Sequence, residues 1–253
     1  MSASRLSPLP DLIAQRGNAD EYPENTLPAL RSALDLGARH VTFDVQLTAD
    51  RQPVLLNDAN LKRMTGLDRN ALELTWPQLA EVQVTEPERF QDKYADIGVP
   101  TLAQAVSLLG THPAVTAFVE IKRASLRVFG ADVVVRKICE VLKPIVRQCV
   151  LVSRDLTAVH HVRQVSSYRV GWILSEYSSL SALKSEALVP DYLLCDQALL
   201  TETGAQLWRG PWRWVIHNVA SREAATVLAS RGARLVATTS YRKVLREFKS
   251  GAS

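Results

Sequence analysis

Short apolar runs recur along this chain, with longer stretches of helical spacing between them. The runs are "LIAQ" (12–15), "VTFDV" (41–45), "AFVEI" (117–121), "VLVS" (150–153), "VGWIL" (170–174), "YLLCD" (192–196), "WVIHN" (214–218) and "LVATT" (235–239). Each is four or five residues long and rich in β-branched or aromatic side chains, the signature of a buried strand. "PENTLPALRSALDLG", "TLAQAVSLLG", "GADVVVRKICEVLKPIV" and "SREAATVLASRG" read as helices between them. Strands alternating with helices predict a parallel sheet covered on both faces. Eight such units in about 250 residues predict an α/β fold of the (β/α)8 TIM-barrel class, with residues 1–253 forming one domain.

Two helix-to-strand junctions agree with this. "LDLGARHV" (34–41) and "ASRGARLV" (229–236) both place Gly-Ala-Arg between a helix and an apolar strand. A glycine just past the last helical turn closes a helix by taking the left-handed conformation. "PVLLND" (53–58) is a ninth strand candidate outside the count. Only eight residues separate Asp44 from Pro53, too few for a parallel crossover. An antiparallel hairpin turning at Asp50-Arg51 fits, and it predicts a small arm in which Asp44 faces Asn57.

Composition narrows the function classes. With 47% hydrophobic and 22% charged residues, the chain has the balance of a soluble globular protein. No apolar run approaches the roughly 18–20 residues of a membrane span. The opening "MSASRLSPLPDLIAQRG" lacks the apolar core of a signal peptide, so a cytoplasmic location is expected. Cys139, Cys149 and Cys195 have no C-x-x-C spacing and read as core or half-buried thiols rather than a disulfide or zinc framework. The net charge of +4 is spread along the chain without a Lys/Arg run interleaved with aromatics, which argues against nucleic acid as a partner.

The chemistry gathers at C-terminal strand ends, the rim where barrels carry their sites. There stand Gln15-Arg16-Gly17, Asp44, Asn57-Asp58 and Glu120-Ile121-Lys122. Asp44 and Glu120 are suited to a hard divalent cation. Arg16 and Lys122 are suited to phosphate oxygens, the arginine as a fork and the lysine as a point charge. The same four charges also fit a purely structural ion-pair network. Among the histidines, His217 stands out because "WVIHN" ends at the rim, and either His217 or Asn218 faces inward. Trp172 and Trp214 read as core. Asn25 reads as the cap of the first helix, with Pro28 in its first turn.

Arg16-Gly17, Glu24-Asn25-Thr26, Asp44-Val45, Asp58 and Glu120-Ile121-Lys122 resemble the glycerophosphodiester phosphodiesterase family, whose opening reads H-R-G…E-N-T…E-x-D-V…H-D, followed by E-I-K. "LKRMTG" (61–66), "VPTLAQAV" (99–106), "LVS" (151–153) and "WVIHNVASREAATVLASRGARLV" extend the resemblance over nearly the whole chain. It implies a barrel acting on glycerophosphodiesters. It further implies two catalytic histidines, three acidic metal ligands, and Arg16 and Lys122 on the substrate phosphate. This chain departs at three positions: Gln15 and Asn57 replace the histidines, and Thr42 replaces a metal glutamate.

A primary amide neither takes up nor releases a proton near neutral pH, and a positioned acid or base contributes about 10²–10⁴-fold. Thr42 leaves two carboxylates for the cation, so the resemblance implies Mg²⁺ or Ca²⁺ at a weakened site. The expectation is a pocket for a small-molecule phosphodiester or glycerol 3-phosphate whose hydrolysis is lost or weakened. The alternative is an active, divergent metal-dependent phosphodiesterase that releases glycerol 3-phosphate and an alcohol.

Overall fold

Eight parallel strands close on themselves in the computed structural model, which describes residues 9–200 and 206–250. They are β1 (Asp11–Gln15), β2 (His40–Leu47), β4 (Thr116–Ile121), β5 (Cys149–Ser153), β6 (Arg169–Ile173), β7 (Tyr192–Asp196), β8 (Arg213–His217) and β9 (Leu235–Thr238). The sheet runs β1-β9-β8-β7-β6-β5-β4-β2, and β1 pairs again with β2 to complete the circle. The closing pair is short, Ala14 against Val41 and Gln15 against Thr42. The expected (β/α)8 barrel is therefore observed, each strand run within a residue or two of its reading. The opening residues 1–8, read above as lacking a signal-peptide pattern, lie outside the described residues.

Alternation along the strands builds two cores. Ile13, Phe118, Val150, Val152, Ile173, Tyr192, Leu194, Val215, Leu235 and Ala237 fill the barrel interior. Their neighbours in sequence, such as Leu12, Ala14, Val119, Leu151, Leu193 and Val236, point outward and pack under the helices. Trp172 and Trp214 belong to this outer layer and are buried, as expected. Inside, Phe118 meets Tyr192 edge-to-face at 5.0 Å, worth about 0.5–1.5 kcal/mol beyond area burial. Gly171 leaves the space these side chains need, because a Cβ there would stand 2.8 Å from Val152 and from Leu194.

The helices Leu27–Asp35, Leu102–Gly110, Ala131–Leu142, Leu156–Val165, Ser179–Leu188, Arg222–Ser230 and Tyr241–Ser250 lie between or after the strands. The first is capped by Thr26, whose hydroxyl accepts the Ala29 amide, with Pro28 in the first turn. The expected Asn25 cap is corrected: Asn25 sits one residue earlier at φ 59, and its side chain turns into the site. Gly37 and Gly232 close their helices at φ 87 and 107, as the Gly-Ala-Arg junctions predict. No helix among the described residues is long and apolar enough to cross a membrane.

The arm after β2 is present as β3 (Pro53–Leu55), antiparallel to β2. Its register differs by one residue from the expectation. Val45 faces Leu55, and the Leu56 amide donates to the Asp44 carbonyl, so Asp44 lies opposite Leu56 and not Asn57. The cause is the turn: Thr48 receives the Gln52 amide on its hydroxyl and donates its own amide to the Gln52 carbonyl, with Arg51 at φ 63. Beyond β3, residues 56–101 form short helices around a separate small core that includes Leu61, Met64, Leu72, Leu79 and Val84. This addition stands beside the arm and contributes Asn57 to the lining of the site.

Candidate functional site

The inward strand positions that carry apolar side chains at mid-barrel carry polar ones at the C-terminal end. Gln15 follows Ile13, Glu120 follows Phe118, Asp196 follows Leu194 and His217 follows Val215, each two residues on. With Thr42 and Asp44 from β2 and Arg154 just after β5, they line a cavity of ≈ 320 Å³ floored by the interior core. Arg16, Asn57, Lys122 and Asn218 complete its polar wall. Gln15, Arg16, Thr42, Asp44, Asn57, Glu120 and Lys122 are thus brought to one cavity, whereas Asp58 does not line it.

Asp44 is the hub. Its carboxylate accepts Arg16 Nε at 2.8 Å, Lys122 Nζ at 3.4 Å and Asn25 Nδ2 at 2.9 Å, while its amide donates to Asn25 Oδ1 at 3.0 Å. Burial works against its charge, but Arg16 and then Lys122 outweigh burial and hold the carboxyl far below its usual range. Burial likewise opposes the Arg16 charge, and Asp44 with Glu24 outweighs it, raising that pKa. Glu120 differs: burial and the neighbouring Asp44 push its pKa up against the pull of Lys122, which donates to it at 3.0 Å.

The turn that presents Arg16 is built around glycine. Arg16 has φ 57 and Gly17 φ 82. A Cβ on Gly17 would stand 2.5 Å from the Ala29 backbone, so only glycine lets β1 turn against the first helix. Glu24 then accepts Arg16 at 3.0 Å and Arg63 at 2.5 Å, and Arg63 also holds Asp58 at 2.6 Å. Arg63 thereby ties the 56–101 addition to the barrel rim. Asp58 is committed to this tie.

The two amides at the histidine positions are engaged. Gln15 Nε2 donates to Asn218 Oδ1 at 3.0 Å, and its Oε1 accepts the Asn218 amide at 3.2 Å. Asn218, at φ 61, passes the chain on to Asp196 at 2.5 Å. Asn57 Oδ1 accepts Lys122 Nζ at 2.8 Å. Thr42 Oγ1 accepts the Arg16 amide at 3.1 Å.

A resident divalent cation fits this donor set poorly. Two carboxylates face the cavity from β2 and β4, the third donor is a neutral hydroxyl already bonded to a backbone amide, and the Lys122 ammonium lies between Asp44 and Glu120. Both carboxylates are neutralised by side chains of the chain itself, so a cation would have to displace Lys122 before binding. Among the described residues no group of three His, Cys, Asp or Glu side chains is arranged to hold a metal.

Both His217 and Asn218 line the cavity, which resolves the strand-parity alternative: His217 faces inward on β8, and Asn218 reaches the cavity from its left-handed turn. His217 Nε2 is buried and has no partner among the described residues. Burial, then the Arg154 charge, lower its pKa to about 4, so the imidazole is neutral at pH 7. The unfolded chain binds this proton near pH 6.5 and the folded chain only near 4. The stabilisation is therefore complete above pH 6.5 and is lost as pH falls toward 4. Urea unfolding at pH 7 and 4.5 should show the parent losing roughly 2–3 kcal/mol more than His217→Gln. Equal losses in the two proteins would contradict the burial of a neutral imidazole.

Sequence reading missed Arg154, Asp196, Glu24, Asn25 and Arg63. The first two were signalled by strand parity, being two residues beyond the inward Val152 and Leu194. Glu24 and Asn25 come from the loop before the first helix and Arg63 from the short helix Lys62–Thr65; the family resemblance includes these stretches, but strand parity does not mark them.

Comparison with known proteins agrees with this geometry. The profile of the Glycerophosphoryl diester phosphodiesterase family matches residues 16–227. Glycerophosphodiester phosphodiesterase 1 of Rattus norvegicus is 34% identical over 110 residues, 44% of this chain and 33% of that protein. A glycerophosphodiester phosphodiesterase of Caldanaerobacter subterraneus is 32% identical over 99 residues, 39% of this chain and 40% of that one. The matched stretch thus spans about a third of the rat relative's length. Among solved structures, a phosphodiesterase of Oleispira antarctica in complex with the product sn-glycerol-3-phosphate superposes with a TM-score of 0.81 at 21% identity, over 95% of this chain and 97% of that one. The glycerophosphodiester phosphodiesterase of Thermotoga maritima gives 0.71 at 19% identity, over 93% and 97%. With the family profile covering most of the barrel and the site residues falling on its rim, this chain belongs to the glycerophosphoryl diester phosphodiesterase family.

Proposed function

We propose that this protein binds sn-glycerol 3-phosphate and its diesters at the barrel mouth without hydrolysing them at a useful rate. One observation carries the reading. The two positions that would move protons hold amides, Gln15 and Asn57, fixed to Asn218 and Lys122. An amide in that place hydrogen-bonds a ligand but relays no proton near neutral pH. Arg154, which forms no ion pair among the described residues, supplies positive charge for the phosphate, with Lys122 nearby shared between Asp44 and Glu120. Gln15, Asn57 and Asn218 supply hydrogen bonds for phosphate or glycerol oxygens. Catalysis by a bound Mg²⁺ or Ca²⁺ is weakened in this reading because Thr42 contributes no charge. We read the protein as cytoplasmic, in keeping with its three unpaired thiols.

One observation favours a second reading, an active phosphodiesterase: the unpartnered, neutral imidazole of His217 inside the cavity is a potential proton acceptor. Calorimetry with sn-glycerol 3-phosphate, together with product release from glycerophosphocholine with and without Mg²⁺ or Ca²⁺, separates the two. The expected result is saturable binding and no turnover above a Glu120→Gln control. Metal-dependent turnover that Glu120→Gln abolishes would establish an enzyme and overturn the proposal.

A further inference from the structure

A second depression opens beside the cavity on the β4–β6 side of the rim. It is a groove of ≈ 450 Å³ lined by Arg123, Arg127, Arg154 and Lys184, with Asp155 and Glu176 as its acids. Arg154 lines both the groove and the central cavity, so the two spaces share a wall. Arg123 donates to the Arg154 carbonyl at 2.7 Å, and Arg154 donates to the Leu174 carbonyl at 3.2 Å. None of the four cations forms an ion pair among the described residues. The two acids are engaged otherwise: Asp155 caps the helix Leu156–Val165 through the Ala158 amide, and Glu176 accepts the Ser178 hydroxyl.

This differs sharply from the central cavity, where Asp44, Glu120 and Glu24 consume the charge of Arg16 and Lys122. Two of the groove's cations, Arg123 and Arg154, are anchored through backbone carbonyls. They hold their position at the cost of one nitrogen each and keep the remaining N–H groups for an anion. Arg127 and Lys184 are exposed on the groove's outer side. Because Arg154 lines both spaces, a diester held at the cavity by its phosphate can extend its alcohol group across Arg154 into the groove.

We propose that the groove receives a second phosphate, carried on the alcohol side of the bound glycerophosphodiester, so that the protein selects diesters with an anionic alcohol group over those with a neutral or cationic one. The inference rests on the binding reading above and names its ligand class. A choline ammonium is disfavoured there by like charge, whereas a phosphate monoester takes bidentate contacts from arginine.

The test compares two ligands that differ by one group: glycerophosphoglycerol, and the same diester bearing a terminal phosphate. Affinities are measured by calorimetry at low ionic strength, for the parent and for an Arg127→Gln/Lys184→Gln double variant. The two exposed residues are chosen because Arg123 and Arg154 also bond the backbone. In the parent, the added phosphate is expected to tighten binding by about tenfold or more, the effect of one or two charge-assisted hydrogen bonds. In the double variant this ratio should shrink several-fold, and in the parent it should fall as salt is raised. Equal affinities in the parent, or an undiminished ratio in the double variant, would overturn the groove while leaving the pocket reading intact. Failure of both diesters to bind would overturn the groove and the pocket reading together.

Discussion

A chain carrying Gln15→His, Asn57→His and Thr42→Glu together is expected to hydrolyse glycerophosphocholine in the presence of Mg²⁺ faster than the parent. All three positions already face the cavity, so the new side chains enter it without a change of register. The two histidines restore groups able to take and return a proton, each worth about 10²–10⁴-fold. Thr42→Glu places a third carboxylate two residues from Asp44 on the same face of β2, beside the Asp44–Glu120 pair, and gives a hard cation the oxygen donors it lacks. The gain over the parent should reach at least about 10²-fold, measured as glycerol 3-phosphate release. Adding Glu120→Gln to the triple variant should abolish it. A folded triple variant with no gain would mean that the assignment of these positions is wrong.

The second large effect falls on stability. Asp44→Ala leaves the Arg16 guanidinium and the Lys122 ammonium at the rim without their shared carboxylate, and leaves the Asn25 Nδ2 amide without its acceptor. Breaking a buried pair by removing one member costs about 3–5 kcal/mol, because the remaining charge stays desolvated. The urea midpoint should fall accordingly with little change in slope. Adding Arg16→Met should return part of the loss, since it removes the stranded charge. A loss below about 1 kcal/mol would show that solvent reaches Arg16 and that Asp44 is no hub.

Much of the barrel was legible because its strands are buried on both faces and so read as continuous apolar runs. The rim was legible for the same reason in reverse: a polar residue at the end of such a run has only the mouth to face. Arg154 and Asp196 obey that rule and could have been taken from it. The arm's register was not legible. A three-residue strand carries too little pattern to fix its own pairing, and the Thr48–Gln52 hydrogen bonds decide it instead. Residues 56–101 were opaque because helices of four or five residues show no period, and their core is assembled from scattered positions such as Leu61, Leu72 and Val84. Glu24 and Asn25 act on Arg16 and Asp44 across the fold, a relation no local spacing records.

The barrel's closing pair has a consequence for descent. Gln15 and Thr42, two of the three departures from the family pattern, are direct partners across the β1–β2 closure. A glutamate at position 42 would add a third negative charge beside Asp44 and Glu120, beyond what Arg16 and Lys122 already offset, and a bound cation would favour it. Once the cation is given up, threonine relieves that repulsion, and its hydroxyl is free to accept the Arg16 amide. Reversal by Thr42→Glu alone then restores the repulsion before any acid–base group returns to use a metal. If hydrolysis is lost as proposed, this closure would work as a ratchet: catalysis would return only by several changes at once.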